Sequence, residues 1–248
     1  MINVNKIIEI VENFAPPQLA EAWDNSGWQI RLGKDEVNNI LICLSLTPAI
    51  LSQAIENNCD LILTHHPLFF TEFKKVTPES ISTQILFQAI KHDIQVYSAH
   101  TNLDKTQGGI NDILCEKLGI IPEETIDEYV KIATLPEKIS LDDFILKLKI
   151  SLDIPKIKLI NPANIKEIQK IAVCSGSGGE FLSSLKDVDI FITGDIKYHT
   201  ALEAQNIIVI DAGHFETEKI ILETLKNLLH QEAPNIIIAK ETAPWIII

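Results

Sequence analysis

Short apolar runs rich in Ile and Val alternate along the chain with stretches whose apolar residues recur at helical spacing. Ile7, Ile8, Val11 and Phe14 form the first such stretch. It should close at Pro16-Pro17, since proline removes a helix hydrogen bond and clashes with the preceding turn. Residues 40–46 are predicted as a buried strand, after which Thr47-Pro48 offers an N-cap and an N1 proline for a helix with Ile50, Leu51, Ala54 and Ile55 inward. Residues 60–64 read as the next strand, Ile81, Ile85, Leu86 and Ile90 as the apolar side of another helix, and residues 94–99 as a third strand. The helix around Ile110, Ile113, Leu114 and Leu118 should stop at Gly119, a residue able to take the left-handed conformation of a C′ position. Such alternation predicts βαβ units and a mainly parallel sheet.

The second half resembles the first. Ile40-Leu-Ile-Cys43, a helix, then Asp60-Leu-Ile-Leu-Thr64 has a counterpart in Ile171-Ala-Val-Cys174, a helix, then Asp189-Ile-Phe-Ile-Thr193, at separations of 131 and 129 residues. Each copy then runs through helix and strand, to Ala99-His100 and to Ala212-Gly213-His214. Ile-rich βαβ segments also look alike by composition alone, so topology has to decide the matter. The expectation is an α/β protein of two related halves with mainly parallel sheets, and a metal site at strand carboxyl ends between the halves. The irregular stretch 119–127 is the predicted boundary. The first half would be 1–124, with 220–248 returning to it, and the second 125–219.

Composition narrows the function. A chain of 248 residues, 46% hydrophobic and 22% charged, is long enough for a sizeable core and excludes a disordered polymer. The net charge of −13 and a single arginine, Arg31, argue against nucleic-acid binding, because neither a basic surface nor arginine forks for phosphates are present. No apolar run approaches the length of a membrane span, and the start, Met1-Ile2-Asn3-Val4-Asn5-Lys6, has charge and amide where a signal peptide needs apolar residues. The cysteines Cys43, Cys59, Cys115 and Cys174 are far apart and form no C-x-x-C pair. Buried free thiols and a cytoplasmic location are therefore expected.

The candidate chemistry sits at predicted strand ends, where open α/β sheets bind their ligands. Thr64-His65-His66-Pro67 puts two imidazoles at the end of the second strand. Adjacent residues there face different directions, so each suits one of two close ions. Asp104, in His100-Thr-Asn-Leu-Asp104, follows the third strand. His214 follows a strand in the second half, and Glu218 lies one helical turn beyond it. A mixed histidine and carboxylate set favours Zn, Fe or Mn over the all-oxygen preference of Mg or Ca.

Thr64-His65-His66-Pro67, His100-Thr-Asn-Leu-Asp104, Thr193-Gly-Asp-Ile-Lys-Tyr-His199 and Gly213-His214-Phe-Glu-Thr-Glu218 resemble the four motifs of the Ngg-interacting-factor-three-like family, the dinuclear metal centre proteins or GTP cyclohydrolase I type 2 homologs. Trp23-Asp24-Asn25-Ser26-Gly27-Trp28 is similar to its amino-terminal signature, and the resemblance spans nearly the whole chain. It implies two divalent ions per subunit, with His65 and Asp104 on one, His66 and His214 on the other, and Glu218 bridging. It also implies a ring-shaped homohexamer and a hydrolase acting on a nucleotide such as GTP.

Other positions are open to two readings. His199 is a candidate acid/base or substrate contact, or simply a satisfied helix histidine. His100 reads as orienting the loop that carries Asp104. Gly176-Ser-Gly-Gly179 could cradle a phosphate or form a tight turn, and it lacks the lysine of a P-loop. His92 and His230 read as surface residues. Three functions fit the metal set: a metal-dependent hydrolase on a nucleotide-like substrate, a non-catalytic regulatory or scaffold hexamer, and a metal-dependent phosphoesterase.

Overall fold

A computed structural model describes residues 2–233 and 235–246. In chain order, β1 (Ile2–Asn3) leads directly into α1 (Val4–Phe14), which Asn3 caps and whose Val4, Ile7, Ile8 and Val11 are buried. Then come β2 (Gly27–Ile30), β3 (Glu36–Val37), β4 (Ile40–Cys43), α2 (Pro48–Glu56), β5 (Leu61–Thr64), α3 (Ile81–Lys91), β6 (Gln95–Ser98) and the short α4 (Thr101–Lys105). The predicted cap is present, with Thr47 Oγ1 accepting from the Ile50 amide at 3.2 Å and Pro48 at N1. The strand predicted over 40–46 ends early because the amides of Leu44 and Ser45 donate to Glu241 rather than to a ladder.

The middle of the chain supplies α5 (Ile110–Leu118), closed by Gly119 in the left-handed conformation as predicted. It continues through β7 (Glu124–Ile126), β8 (Val130–Ser140), α6 (Leu141–Leu152), β9 (Lys158–Ile160), β10 (Glu167–Val173), β11 (Ile190–Thr193), α7 (Tyr198–Glu203), β12 (Ile208–Asp211) and α8 (His214–Glu218). Last come α9 (Ile221–Leu229) and β13 (Ile236–Ile238).

These elements form two compact units. One comprises Met1–Thr106 and Ile221–Thr242, the other Gln107–Ile220 and Ala243–Ile248. The division precedes the 119–127 stretch read as the boundary, because α5 packs on α6 and β8 and so belongs to the second unit. Residues 243–246 also join the second unit, and positions 234, 247 and 248 of the returning tail lie outside the described residues.

The first unit's sheet has the order β13-β4-β5-β6-β2, parallel except for β2. Its α2/α3 side buries Leu41, Ile50, Leu51, Ile62, Ile85 and Val96 in one cluster. The second unit's sheet runs β7-β8-β10-β11-β12-β9; β10, β11 and β12 are parallel and the flanking strands antiparallel. Its cluster includes Val130, Ala172, Phe191 and Val209. The α/β class is as expected, and the repeat is topological. In each unit three consecutive parallel strands (β4-β5-β6 and β10-β11-β12) are followed at the third strand's outer edge by one antiparallel neighbour. All four cysteines are free and buried, as the spacing suggested. Among the described residues no helix is long and apolar enough to cross a membrane.

Candidate metal centre

In the first unit the donors stand at the carboxyl ends of β5 and β6. Parallel pairing of Thr64 with Ser98 aligns the two strand ends, and their hydroxyls lie 2.6 Å apart. Thr64 Oγ1 also donates to the His66 carbonyl at 2.8 Å, which fixes the turn carrying both histidines. The His65 and His66 rings stand 4.8 Å apart at 49°, so the neighbours do point differently. His100 follows β6, and its ring centroid lies 5.2 Å from that of His65 and 5.6 Å from that of His66. Ligand atoms of these three imidazoles all lie within 4.8 Å of one another. His100 thus lies among groups that could hold an ion, as well as beside the loop that carries Asp104.

In each of these rings Nδ1 is held from behind. His65 Nδ1 lies 2.9 Å from the Ala99 carbonyl, His66 Nδ1 2.7 Å from Ser45 Oγ, and His100 Nδ1 2.8 Å from Asp24 Oδ1. A carbonyl or a carboxylate can only accept, so for His65 and His100 the proton resides on Nδ1 and the Nε2 lone pair is presented forward. His65 is wholly buried, and its Nε2 faces Asp104 Oδ1 at 3.8 Å. An acceptor nitrogen and a carboxylate oxygen facing one another in a buried place is an arrangement that a shared cation stabilises. The donor set thus fits a divalent ion.

Asp24 is the hub of this arrangement. Besides His100, it accepts from Ser26 Oγ at 2.7 Å, Thr101 Oγ1 at 2.6 Å and the Thr101 amide at 3.1 Å. Burial alone would raise its carboxyl; the bonds from His100, Thr101 and Ser26 outweigh that and hold it well below the usual carboxylate range. The Trp23–Trp28 motif therefore clamps the loop that carries His100 and Asp104.

In the second unit His214 opens α8 after β12, and Glu218 sits one turn on. His214 Nδ1 is held by Asp195 Oδ2 at 2.8 Å, and Nε2 lies 3.1 Å from Glu218 Oε1. Burial pushes this imidazole down, but Glu218 and then Asp195 outweigh it and push it up to about 9. A metal ion would take the place of the Nε2 proton. The glycine run explains itself here. Gly176, at φ +61°, lies so near that a Cβ would meet Glu218 Oε1 at 2.2 Å, and a Cβ on Gly194 would meet the His214 amide at 2.5 Å. The Gly176-Ser-Gly-Gly179 turn makes room for Glu218, which answers the choice between a phosphate cradle and a structural turn in favour of the latter at Gly176.

The structure thus groups His65, His66 and Asp104 with His100 in the first unit, and His214 with Glu218 in the second. The two units present the same device. Each has a histidine just after its third parallel strand, an aspartate behind Nδ1, and a carboxylate four residues later: His100, Asp24 and Asp104 in one, His214, Asp195 and Glu218 in the other. His199 lies in the exposed first turn of α7 with its ring beside Tyr198. Asp24, Ser45 and Asp195 had no role in the sequence reading. Their only signal was position, in a polar motif or directly after a strand.

Two α/β units whose parallel strands end in anchored imidazoles and carboxylates define an α/β protein with donor groups that could hold a metal ion. Residues 2–244 match the family described as Duf34/NIF3 (NGG1p interacting factor 3), and the chain belongs to that family. It is 32% identical over 256 residues to a GTP cyclohydrolase 1 type 2 homolog of Clostridium perfringens, covering 97% of each chain. It is 34% identical over 232 residues to a Helicobacter pylori protein named GTP cyclohydrolase 1 type 2, covering 93% of each. The fold is similar to that of a Bacillus cereus protein related to NIF3, with a TM-score of 0.87 at 23% identity over 99% of both chains.

Proposed function

We propose that the protein binds two divalent ions, Zn, Fe or Mn, and acts as a metal-dependent hydrolase on a nucleotide-like substrate. Anchoring of histidine Nδ1 atoms is the observation that supports this reading most directly, because it fixes which nitrogen faces forward before any ion arrives. The ligands are His65 and Asp104 for one ion, His66 and His214 for the other, with Glu218 shared, as the family resemblance implies. When bound, divalent ions supply Lewis acidity, which polarises an acceptor oxygen and acidifies water near neutral pH. The chain's own groups do the rest. Asp24 and Asp195 keep His100 and His214 in one tautomer, and Gly176 leaves Glu218 its place. His199 is assigned as an acid/base or substrate contact, and the names of the bacterial relatives point to GTP as the first substrate to try.

The test is elemental analysis of protein reconstituted with each metal, followed by turnover of a panel of nucleotides and phosphate esters, with His65→Ala as the control. About two ions per chain and hydrolysis lost in the variant are expected. Two ions without turnover of any compound would favour the regulatory or scaffold role, and no bound ion would overturn the site. The resemblance also leads us to place the chain in a ring-shaped homohexamer in the cytoplasm; light scattering at six times the chain mass is expected, and a stable monomer would refute it.

A further inference from the structure

Two aromatic rings stand more than half exposed beside the histidines of the first unit. Trp23 is 66% exposed and Phe70 57%. Both pack on the His100 imidazole in edge-to-face contacts, at centroid distances of 6.2 and 5.7 Å. His100 in turn lies against His65 and His66, so the two rings border, on its solvent side, a cluster whose ligand atoms could hold an ion.

Both rings ride on anchored backbone. Trp23 precedes Asp24, whose carboxylate is fixed by His100, Ser26 and Thr101. Phe70 follows Phe69, whose carbonyl accepts from Asn25 Nδ2 at 2.7 Å and whose amide donates to Gln29 Oε1 at 3.2 Å. Asn25 and Gln29 thereby staple the loop after His66 to the segment that carries Trp23. A lone exposed apolar side chain needs no explanation, but two held rings meeting at one imidazole beside metal-type donors mark a place for a ligand. Such a ligand needs a flat apolar part for the rings and a polar part for the donors, which a nucleotide has in its base and its phosphate.

We propose that Trp23 and Phe70 form a stacking platform that holds the planar ring of the substrate by its faces, while the polar part of the substrate reaches the histidine cluster. Every base offers a π face, so a platform of this kind takes purines and pyrimidines alike and discriminates against a sugar phosphate that lacks a ring. The assignment rests on the nucleotide reading above and says which residues hold the base. Ribose 5-phosphate is the appropriate reference probe, because it keeps the phosphate that would meet metal ions and lacks only the ring.

Calorimetric titration of the full-length, ion-loaded protein with AMP, GMP, CMP, UMP and ribose 5-phosphate tests the proposal, with ion content measured on the same preparation. Each nucleotide should bind roughly 5- to 150-fold more tightly than ribose 5-phosphate, the range of alanine-substitution effects on base stacking. Trp23→Ala and Phe70→Ala should each remove part of that gap at unchanged ion content, whereas Trp23→Phe should keep most of it. GMP should also quench tryptophan fluorescence in the wild type. Trp23→Phe should abolish the quenching although GMP still binds, with Trp28 and Trp245 left as the reporting tryptophans. Nucleotides no tighter than ribose 5-phosphate, as expected if a second copy of the chain covers the rings, would overturn the platform, as would quenching that persists in Trp23→Phe. The wild-type comparison decides the matter even if a variant misfolds. Ring-dependent binding without turnover of any nucleotide would refute the hydrolase and leave the platform standing; hydrolysis with no preference for a ring would do the reverse.

Discussion

Asp24→Asn isolates the anchoring of a donor histidine without touching a proposed ligand. The Asp24 side chain is fully buried and accepts from His100 Nδ1, Ser26 Oγ, Thr101 Oγ1 and the Thr101 amide, at 2.6–3.1 Å. An amide of the same size keeps one acceptor oxygen and turns a donor toward groups that are themselves donors. Losing charge-assisted bonds and leaving one donor opposed should cost about 2–4 kcal/mol. For a chain of this size that corresponds to a fall in Tm of about 4–16 °C. The pH dependence follows from the direction of the shift. Asp24's carboxyl is held below its usual value, so its stabilisation is complete above the unfolded pKa near 3.8 and is lost as pH falls toward the folded one. The gap between wild type and variant should therefore be constant from about pH 5 to 7 and begin to close below about pH 4. Thermal melts by circular dichroism across that range, without added metal, measure it. A variant that melts with the wild type at pH 7, or a gap that widens on acidification, would refute the reasoning.

Glu218→Gln should bind at least one ion more weakly than wild type, seen in ion-content titrations, because it removes negative charge from between two cations while keeping side-chain size. Gly176→Ala should reproduce part of that loss without altering a ligand, since its Cβ would occupy the space of Glu218 Oε1, and the left-handed backbone adds about 1 kcal/mol or more of strain seen by denaturant unfolding. Glu241→Gln should loosen His66 through Ser45, whose amide Glu241 holds at 3.0 Å and whose hydroxyl meets His66 Nδ1 at 2.7 Å; a several-fold weaker ion uptake is expected. His199→Ala should leave ion content unchanged and, if the residue serves as acid/base, lower turnover; unchanged turnover would remove it from the site.

What could be read from the sequence was whatever local chemistry decides. Thr47-Pro48 and Gly119 delimit helices by capping and by backbone freedom, and the Ile-rich strands of the parallel sheet centres are buried on both faces, so they stand out as unbroken apolar runs. The region holding β8, α6 and β9 gave no such signal. β8 is buried only over its first four residues and then half exposed around Pro136, so it has no constant period. The donors were legible because strand ends and helical spacing are local properties. Their anchors were not: Asp24 meets His100 across 76 residues and Glu241 meets Ser45 across 196, separations that no pattern along the chain encodes.

The matched devices in the two units differ in how firmly each histidine is held. A histidine after the third parallel strand, an aspartate behind it and a carboxylate one turn on recur at His100 and His214, yet their surroundings differ. Asp24 sits in a net of five donors, the Asn25 amide at 2.7 Å among them, with its side chain fully buried, whereas Asp195 is about half exposed, has φ +53° and, among the described residues, bonds through its side chain to His214 only. A carboxylate held by several donors is fixed in place, while one held by a single imidazole can turn with it. His100 is therefore the more rigid of the two histidines and His214 the more adjustable. Should turnover require one ligand to shift as substrate enters, Asp195→Asn would impair catalysis more than ion uptake, whereas Asp24→Asn would impair uptake and stability together. Measuring ion affinity, Tm and turnover on both variants separates these cases; equal effects on all three would show that the histidines are held alike despite their different settings.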